Sequence, residues 1–304
     1  MKRNWIRQNV LPVIAAMIWG AAFLAQRLGA ENMGPFTFNA ARSVIAFFFL
    51  LGLCLIRRRF RGSAVRSWRE LGIAGACCGA ALGIATWLQQ AGMSTTDAGK
   101  AGFITALYIV IVPLIGKFIL KRKAPPSIWI SVPLAAVGLY LLSVTESMTI
   151  ESGDVYMILC AFVFSVQILL IDHFSRLVDG VAMSCAQFLA MALLSALGAV
   201  ATGETVSAEA LRVCLWAILY AGIFSSGVAY TLQILAQKDS NPMVVSLLLS
   251  LEAVFAALFG ALFRHERMTG RELLGCLLMF AAVAITQIYA PDDGTAPDDA
   301  KTSS

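Results

Sequence analysis

Apolar segments of transmembrane length recur from one end of the chain to the other, and they constrain its fold more than any other feature. A helix of about 20 apolar residues spans the hydrocarbon core of a bilayer. Helices satisfy their backbone groups internally at this hydropathy, whereas barrel strands would show a two-residue alternation. We therefore expect an all-α integral membrane protein with ten transmembrane helices. They are predicted near residues 10–27, 35–56, 70–91, 98–120, 128–145, 153–171, 181–202, 210–235, 242–263 and 271–290.

Composition supports this fold class and excludes several functions. Hydrophobic residues make up 59% of the chain and charged residues 13%, against about 25% charged in soluble domains. The net charge of +5 comes from short basic clusters between apolar segments, so it indicates a lipid bilayer and no nucleic acid as partner. No nucleotide-binding loop, metal-ligand spacing or nucleophile–base pair stands out, so we predict no enzyme activity, no cofactor and no metal.

Orientation follows from where the basic clusters fall, because cytoplasmic loops are rich in Lys and Arg. These clusters precede the first segment and separate segments two from three and four from five, whereas the alternate loops are acidic or nearly neutral. We therefore predict a plasma (inner) membrane protein with both termini in the cytoplasm, and a disordered cytoplasmic tail at 291–304. Arg264, Arg267 and Arg271 run against this orientation and are balanced in part by Glu266 and Glu272. The supporting clusters are Lys2, Arg3 and Arg7; Arg57, Arg58, Arg59, Arg61, Arg66 and Arg69; and Lys121, Arg122 and Lys123; the alternate loops carry Glu31, Asp97, Glu146 and Glu151.

The two halves of the chain match when one is shifted by 144 residues. "GIATWLQQAG" from Gly83 then falls on "GVAYTLQILA" from Gly227, and "LYIVIVPLIGKF" falls on "LEAVFAALFGAL". Nine of fifty positions are identical between 71–120 and 215–264, including Gln89 with Gln233. Five spans per half is an odd number, so the halves, 1–145 and 146–290, are predicted to be inverted five-helix repeats. Secondary transporters use this architecture and bind solute near the midplane between the halves.

Several motifs resemble the EamA-type drug/metabolite transporters. "WGAAF" at 19–23 resembles their first-span signature, and "FTFNAARSVIA" from Phe36 their second span. "DAGKAGFITALYIVIVPLIG" is similar to their fourth span, and "SLEAVFAALFGALFRHERMTGRELLG" to their ninth and tenth. The chain departs from the family at Ala253, which stands where a proline often follows the glutamate, and at Lys100, which replaces a small residue. The resemblance covers nearly the whole chain and implies transport of small organic solutes.

Glu252 is the carboxylate that we place near the midplane, about 10 residues into the ninth span and so roughly 15 Å deep. An ionised carboxylate at the bilayer centre costs roughly 2.5–3.5 kcal/mol on insertion scales. One interpretation is a solute contact or a group that takes up a proton during transport, which makes protons a candidate partner. The other is a protonated or hydrogen-bonded glutamate that joins helices.

Other polar and aromatic residues at comparable depth are candidates for the solute path. Arg42 keeps its charge and needs an anion or water, which leaves a pair with Glu252 and a solute carboxylate as alternatives. In the repeat alignment Tyr108 is the counterpart of Glu252. Packing or a lipid-facing position is the alternative for each ring and amide, and Gly20, Pro113 and Pro133 are candidate bends. The remaining site candidates are Trp19, Trp87, Gln89, Tyr230 and Gln233.

The function that these features favour is secondary active transport of small organic metabolites by alternating access. Amino acids are one candidate class, since rings, amides and opposite charges suit an amphipathic solute. Proton coupling through Glu252 is a further hypothesis. The alternative is a non-transporting membrane scaffold or sensor, and an intramembrane hydrolase ranks last.

Overall fold

The structure is a computed structural model that describes residues 6–61, 65, 67–96, 98–143, 151–238, 240–264 and 268–289. Within these ranges the chain forms helices and no strand, so the all-α prediction is confirmed. Some residues used for the predicted orientation, and the tail predicted to be disordered, lie outside the described residues. These are Lys2, Arg3, Arg66, Asp97, Glu146, Glu266, Arg267 and 291–304.

The helices follow the predicted order and are numbered here by predicted span. Nine helical segments of the described chain are long and apolar enough to cross a membrane, and the predicted fifth span is a shorter apolar helix. Three stretches are π-helical: Ile6–Val10, Ile115–Ile119 and Ala221–Ala229. The α-helices are α1 Leu11–Asn32, α2 Pro35–Arg61, α3 Trp68–Gly92, α4a Ala98–Thr105, α4b Tyr108–Leu114, α5 Ile128–Ser143, α6 Ser152–Phe174, α7 Gly180–Thr202, α8a Ala208–Tyr220, α8b Tyr230–Gln237, α9a Pro242–Leu249, α9b Glu252–Arg264 and α10 Gly270–Ile288.

Large apolar side chains cover the outside of the bundle, while its inside holds many polar ones. Phe60 is 80% exposed and Val200 is 82% exposed, as expected for surfaces that face lipid tails. Gln167 and Asp172 are fully buried, and Arg42 is 2% exposed. This distribution reverses that of a soluble domain and agrees with a multi-span membrane protein.

Helices α2 and α7, which correspond in the two halves, pack against each other in antiparallel fashion. At one end of the molecule Glu204, just beyond α7, accepts hydrogen bonds from the backbone nitrogens of Phe36 (3.2 Å) and Thr37 (2.8 Å), at the start of α2. At the opposite end Arg57, near the end of α2, holds Asp179, the N-cap of α7, through two bonds of 3.1 and 3.2 Å. We call these two ends of the bundle the Glu204 end and the Asp179 end.

The remaining helix contacts repeat between the halves. Helix α3 contacts α6 and α7, and the corresponding α8 contacts α1 and α2. Likewise α4 contacts α6 while α9 contacts α1, and α5 packs on α10. Gly138 and Gly275 bring α5 and α10 close, since a Cβ added at Gly275 would lie 2.6 Å from the Gly138 carbonyl oxygen. Helix contacts of one half are therefore repeated in the other, as an approximate two-fold relation between the halves would require.

Helices α4 and α9 each break in mid-span, at corresponding positions that the sequence analysis did not predict. The intervening residues, Ala106–Leu107 and Ser250–Leu251, form turns. By contrast, α1 and α5 run without interruption through Gly20 and Pro133. Each turn contains backbone bonds that reach three residues back instead of four. They run from Leu107 to Ile104 (3.2 Å) and Ile109 to Ala106 (3.0 Å), and from Leu251 to Leu248 (3.3 Å) and Ala253 to Ser250 (3.2 Å).

Ion pairs join the region of α4 to α6 at both ends of the molecule. Lys100 Nζ, in α4a, lies 2.5 Å from Asp154 Oδ2, in α6. Arg122, which follows α4, contacts Asp172 near the other end of α6, and Arg176 adds a 3.2 Å bond to the same carboxylate. Lys100, one of the two departures from the family pattern, thus holds α4 against the other half of the chain.

Candidate functional site

A cavity lies between the two halves, at the level of the breaks in α4 and α9. The cavity and the opening that joins it to solvent have together a volume of about 520 Å³. The centre of a water molecule reaches only about 40 Å³ of this space, enough for a few waters. The walls come from α1, α2, α3, α4, α6, α8 and α9. The lining residues are Trp19, Phe23, Gln26, Arg42, Gln89, Thr105, Tyr108, Phe164, Gln167, Ile168, Ser225, Tyr230, Gln233, Leu249 and Glu252.

The structure brings seven of the eight candidate site residues together in this lining. The eighth, Trp87, lies elsewhere: its ring stacks on Phe36 with centroids 5.2 Å apart and meets Tyr156 edge-on at 6.1 Å. Trp87 therefore takes part in an aromatic contact among α2, α3 and α6 rather than in the cavity wall. The seven lining candidates are Trp19, Arg42, Gln89, Tyr108, Tyr230, Gln233 and Glu252.

Tyr108 and Glu252 touch each other across the cavity. The Tyr108 hydroxyl donates a 3.0 Å hydrogen bond to Glu252 Oε1. Tyr108 is the first residue of α4b, and Glu252 is the first residue of α9b. They are also 144 residues apart, the offset of the repeat. Two positions related by an approximate two-fold axis can be in contact only if both lie close to that axis. If such an axis relates the halves, it passes through the cavity close to this pair.

Arg42 lines the cavity as a buried cation that has no carboxylate partner among the described ion pairs. Its guanidinium carbon lies 5.9 Å from the centroid of the Phe38 ring, and its Nε makes no hydrogen bond. No ion pair joins Arg42 to Glu252 in the described part of the chain, where Glu252 instead accepts from Tyr108. The interpretation of Arg42 as the structural partner of Glu252 therefore receives no support from this conformation.

Two aromatic residues of the cavity lining, Trp19 and Tyr230, pack against each other. The Trp19 and Tyr230 rings have centroids 4.8 Å apart, and Phe188 lies 5.7 Å from Tyr230. Trp19 Nε1 donates a 3.1 Å bond to the carbonyl oxygen of Ser225, which belongs to the π-helical part of α8. This bond fixes the orientation of the Trp19 ring against α8.

Four pairs of lining residues are related by the 144-residue offset. Sequence reasoning identified only the pairs Gln89/Gln233 and Tyr108/Glu252. Carrying the offset through every polar position of the spans would have found the other two pairs, because Gln167 falls on Phe23 and Thr105 on Leu249. The pairs are Phe23/Gln167, Gln89/Gln233, Thr105/Leu249 and Tyr108/Glu252.

Several buried polar atoms in the cavity wall lack hydrogen-bond partners among the described residues. Neither amide atom of Gln167 has a hydrogen-bond partner, and Gln233 Oε1 and Gln26 Oε1 also lack one among the described residues. Buried polar groups without partners are uncommon in proteins and call for an explanation, such as a bound ligand or water. No cluster of three or more His, Cys, Asp or Glu side chains in the described ranges is placed to hold a metal ion.

Gly20 lets α1 approach the start of α9b, where Glu252 lies. A Cβ at this position would lie 2.6 Å from Phe255 Cβ and 2.9 Å from the carbonyl oxygen of Glu252. Real Cβ atoms do not make contacts this short, so only glycine allows the present distance between α1 and α9b. Gly20 thus helps to position Glu252 without touching its carboxylate.

Comparison with known proteins agrees with this architecture. The sequence profile of the EamA-like transporter family matches residues 8–144 and matches again over residues 151–288. An Archaeoglobus fulgidus protein named as an uncharacterized transporter is 32% identical over 275 residues, which cover 90% of this chain and 84% of that protein. A crystal structure with 18% sequence identity superposes with a TM-score of 0.78 over 95% of this chain and 99% of the other, which shows the same fold.

A shorter relative matches part of the chain. It is a Pseudomonas savastanoi protein named a probable 4-amino-4-deoxy-L-arabinose-phosphoundecaprenol flippase subunit ArnE, 28% identical over 114 residues. The match covers 32% of this chain and 96% of the relative. With one profile matching both halves, and relatives named as transporters matching most of the length, the chain belongs to the EamA-like transporter family.

Proposed function

We propose that this protein is a secondary active transporter that moves small organic metabolites by alternating access. Its two units are residues 1–145 and 146–290, arranged as inverted repeats. The observation that carries the proposal is the central cavity, to which the first half contributes seven lining residues and the second half eight, including four pairs of corresponding positions. Inverted repeats around a central site let one fold open to either side of a membrane.

The antiparallel packing of α2 against α7 supports an inverted relation between the halves. Because these two helices correspond in the repeat, opposite chain directions mean that the halves enter the membrane from opposite sides. The basic clusters around Arg57 and Arg122 support an orientation with the Asp179 end in the cytoplasm and the Glu204 end outside, because cytoplasmic loops are rich in Lys and Arg. We propose the plasma membrane as the location, with both termini in the cytoplasm.

The size of the cavity supports a conformational cycle. Ligand pockets usually have about 300–1,000 Å³, far more than the 40 Å³ that water centres reach here. A metabolite therefore enters only when the walls move apart. In this view the present structure is a closed state between an outward-open and an inward-open one.

The chemistry of the walls supports a solute with a carboxylate, an amine and an apolar part, and we propose amino acids as the class. Arg42 suits a carboxylate, since its charge is permanent and its Nε has no other partner. Glu252 suits an ammonium group, and the Trp19 and Tyr230 rings suit an apolar side chain. The unpaired amide of Gln167 and the unpaired Oε1 of Gln233 are available for further hydrogen bonds.

Transport of labelled amino acids into proteoliposomes that contain only this protein tests the proposal. We expect uptake that saturates and that an imposed pH gradient stimulates, because Glu252 is proposed to carry the coupled proton. Glu252→Gln keeps the size of the side chain but removes the titratable carboxyl group, so it should abolish the stimulation of uptake by the pH gradient. Gradient-stimulated uptake by Glu252→Gln would exclude coupling through Glu252. No flux across a broad panel of amino acids, amines and sugars would favour a scaffold or sensor instead.

The role of Arg42 is tested by competition with altered solutes. If its guanidinium binds a carboxylate, amino acids should compete for transport at least tenfold better than their amides, since a charged hydrogen bond contributes about 1.5–3 kcal/mol. Arg42→Met should remove most of this preference while a residual flux remains. An unchanged preference in Arg42→Met would mean that the carboxylate binds elsewhere.

A further inference from the structure

Two buried glutamines make equivalent bonds within the two halves. Gln90 Nε2, in α3, donates a 2.8 Å hydrogen bond to the carbonyl oxygen of Gln26, in α1. Gln237 Nε2, in α8b, donates a 2.9 Å bond to the carbonyl oxygen of Ile168, in α6. Each bond thus joins the third span of a half to the first span of the same half. Both glutamines are at most 1% exposed.

The two bonds lie at opposite ends of the molecule. Gln90 is two residues from the end of α3, whose last residue, Gly92, packs on Gly153 at the start of α6, at the Glu204 end. Gln237 is the last residue of α8b, and Asn241, soon after it, donates to the Lys123 carbonyl oxygen at the Asp179 end. The cavity lies between the two bonds.

Each bond borders the cavity directly. Gln26 and Ile168, whose carbonyls accept the bonds, both line the cavity. So does Gln89, the neighbour of Gln90, and Gln233, one turn before Gln237. Separating α3 from α1 would therefore open the cavity toward the Glu204 end, and separating α8b from α6 would open it toward the Asp179 end.

These bonds are of a kind that breaks at modest cost. Both acceptors are carbonyls inside α-helices, so their regular helical bonds remain when the glutamine leaves. Water that enters an opened groove can replace the lost donor and satisfy the amide. One such bond shifts an equilibrium by roughly 2- to 12-fold, which suits a contact that forms and breaks in every cycle.

We propose that Gln90 and Gln237 are positioning residues that hold the two ends of the cavity closed, Gln90 at the Glu204 end and Gln237 at the Asp179 end. The proposal rests on alternating access as the proposed function. It adds that closure of each end is set within one half of the chain. Loss of one glutamine then favours opening toward its own end, and loss of the other favours the opposite opening.

Labelling of a cysteine in the cavity from either side of the membrane tests this. The background carries replacements of all seven native cysteines and Leu249→Cys as reporter, since Leu249 lines the cavity. Labelling rates with a charged, membrane-impermeant maleimide are compared between right-side-out and inside-out vesicles. Gln90→Met and Gln237→Met remove the donor with little change in volume. Gln90→Ala and Gln237→Ala serve if the methionine variants do not fold.

We expect Gln90→Met to raise the labelling rate roughly 2- to 12-fold from one side only, and Gln237→Met to raise it from the other side only. The matched control is Gln287→Met, in α10, outside the cavity lining; it should change neither rate. Acceleration from the same side by both variants, or from neither side, would overturn the proposal. Amino-acid flux is measured separately. If the two variants shift labelling to opposite sides but no amino acid is transported, the proposed function is wrong and the proposed role of the two glutamines still holds.

Discussion

Helices α4 and α9 break 144 residues apart, and their turns contain the same pattern of short backbone bonds. The residues that follow the turns differ: α4b begins with Tyr108 and α9b with Glu252. The two broken helices also contact each other in a crossed arrangement: the first part of α4 contacts the second part of α9, and the second part of α4 contacts the first part of α9. At the level of the two turns, the backbones of α4 and α9 are thus similar while the side chains that follow them differ.

The difference has a physical reason in a transporter. In the proposed alternating-access cycle, a symmetric backbone would make the two openings similar in structure and therefore similar in free energy. A solute without two-fold symmetry, however, binds in one orientation only if the two walls differ. The pairs Tyr108/Glu252, Phe23/Gln167 and Thr105/Leu249 each place different chemistry on the two sides. Only Gln89 and Gln233 are alike among the four pairs.

Exchanging the residues at the axis tests this comparison most strongly. Tyr108→Glu alone places two carboxyl groups in contact in a buried site, and we expect it to destabilise the protein by about 3–5 kcal/mol and to abolish transport. The double variant Tyr108→Glu/Glu252→Tyr restores a tyrosine–glutamate pair with its members exchanged. It should regain most of the lost stability, measured as the unfolding temperature in detergent. A double variant as unstable as the single one would show that the two positions are not equivalent.

The helix pairs α1–α9 and α6–α4 differ in a second way, because Gly20 of α1 corresponds to Phe164 of α6. Gly20→Ala forces a Cβ to within 2.6 Å of Phe255 and close to the Glu252 backbone. Overpacking of this kind costs about 1–3 kcal/mol, and we expect slower transport because Glu252 shifts. Thermal unfolding and flux measure the two effects.

Gly52→Ala is the matched control for Gly20→Ala. Gly52 lies in α2, and a Cβ added there meets nothing within 4 Å. Alanine is the better helix former by roughly 1 kcal/mol, so the control should be neutral or slightly stabilising. Equal losses in the two variants would mean that the close approach of α1 to α9b does not position Glu252.

Sequence reasoning predicted the features that arise from hydropathy and from the offset. It identified the helices from apolar segment length, and the alignment made Tyr108 the counterpart of Glu252, with which it is in contact. It did not predict the breaks in α4 and α9, since neither turn contains glycine or proline. The break beside Glu252 forms even though Ala253 stands where the family often has proline. We attribute these turns to packing between α4 and α9, which local sequence does not encode.

The glutamine bonds and Trp87 show a second limit of sequence reasoning. Under the 144-residue offset Gln237 corresponds to Met93 and Ile168 to Leu24, so the offset does not relate the two bonds residue by residue. They are equivalent only in which helices they join. Trp87 lies at a depth similar to that of Gln89 but two residues earlier, so it points to a different side of α3, and depth alone cannot distinguish the two.

Ser250→Ala is expected to have the smallest effect and asks what causes the breaks. The Ser250 hydroxyl donates a 2.7 Å bond to the carbonyl oxygen of Leu247 within the turn of α9, and such bonds favour bent helices. Its counterpart Ala106 has no hydroxyl, yet α4 breaks at the same place. If packing sets both turns, Ser250→Ala should cost about 1 kcal/mol or less, with flux and pH response near those of the unmodified protein. A loss as large as that of Glu252→Gln would instead make the turn in α9 dependent on its side chain, and the similarity of the two turns would then hide different causes.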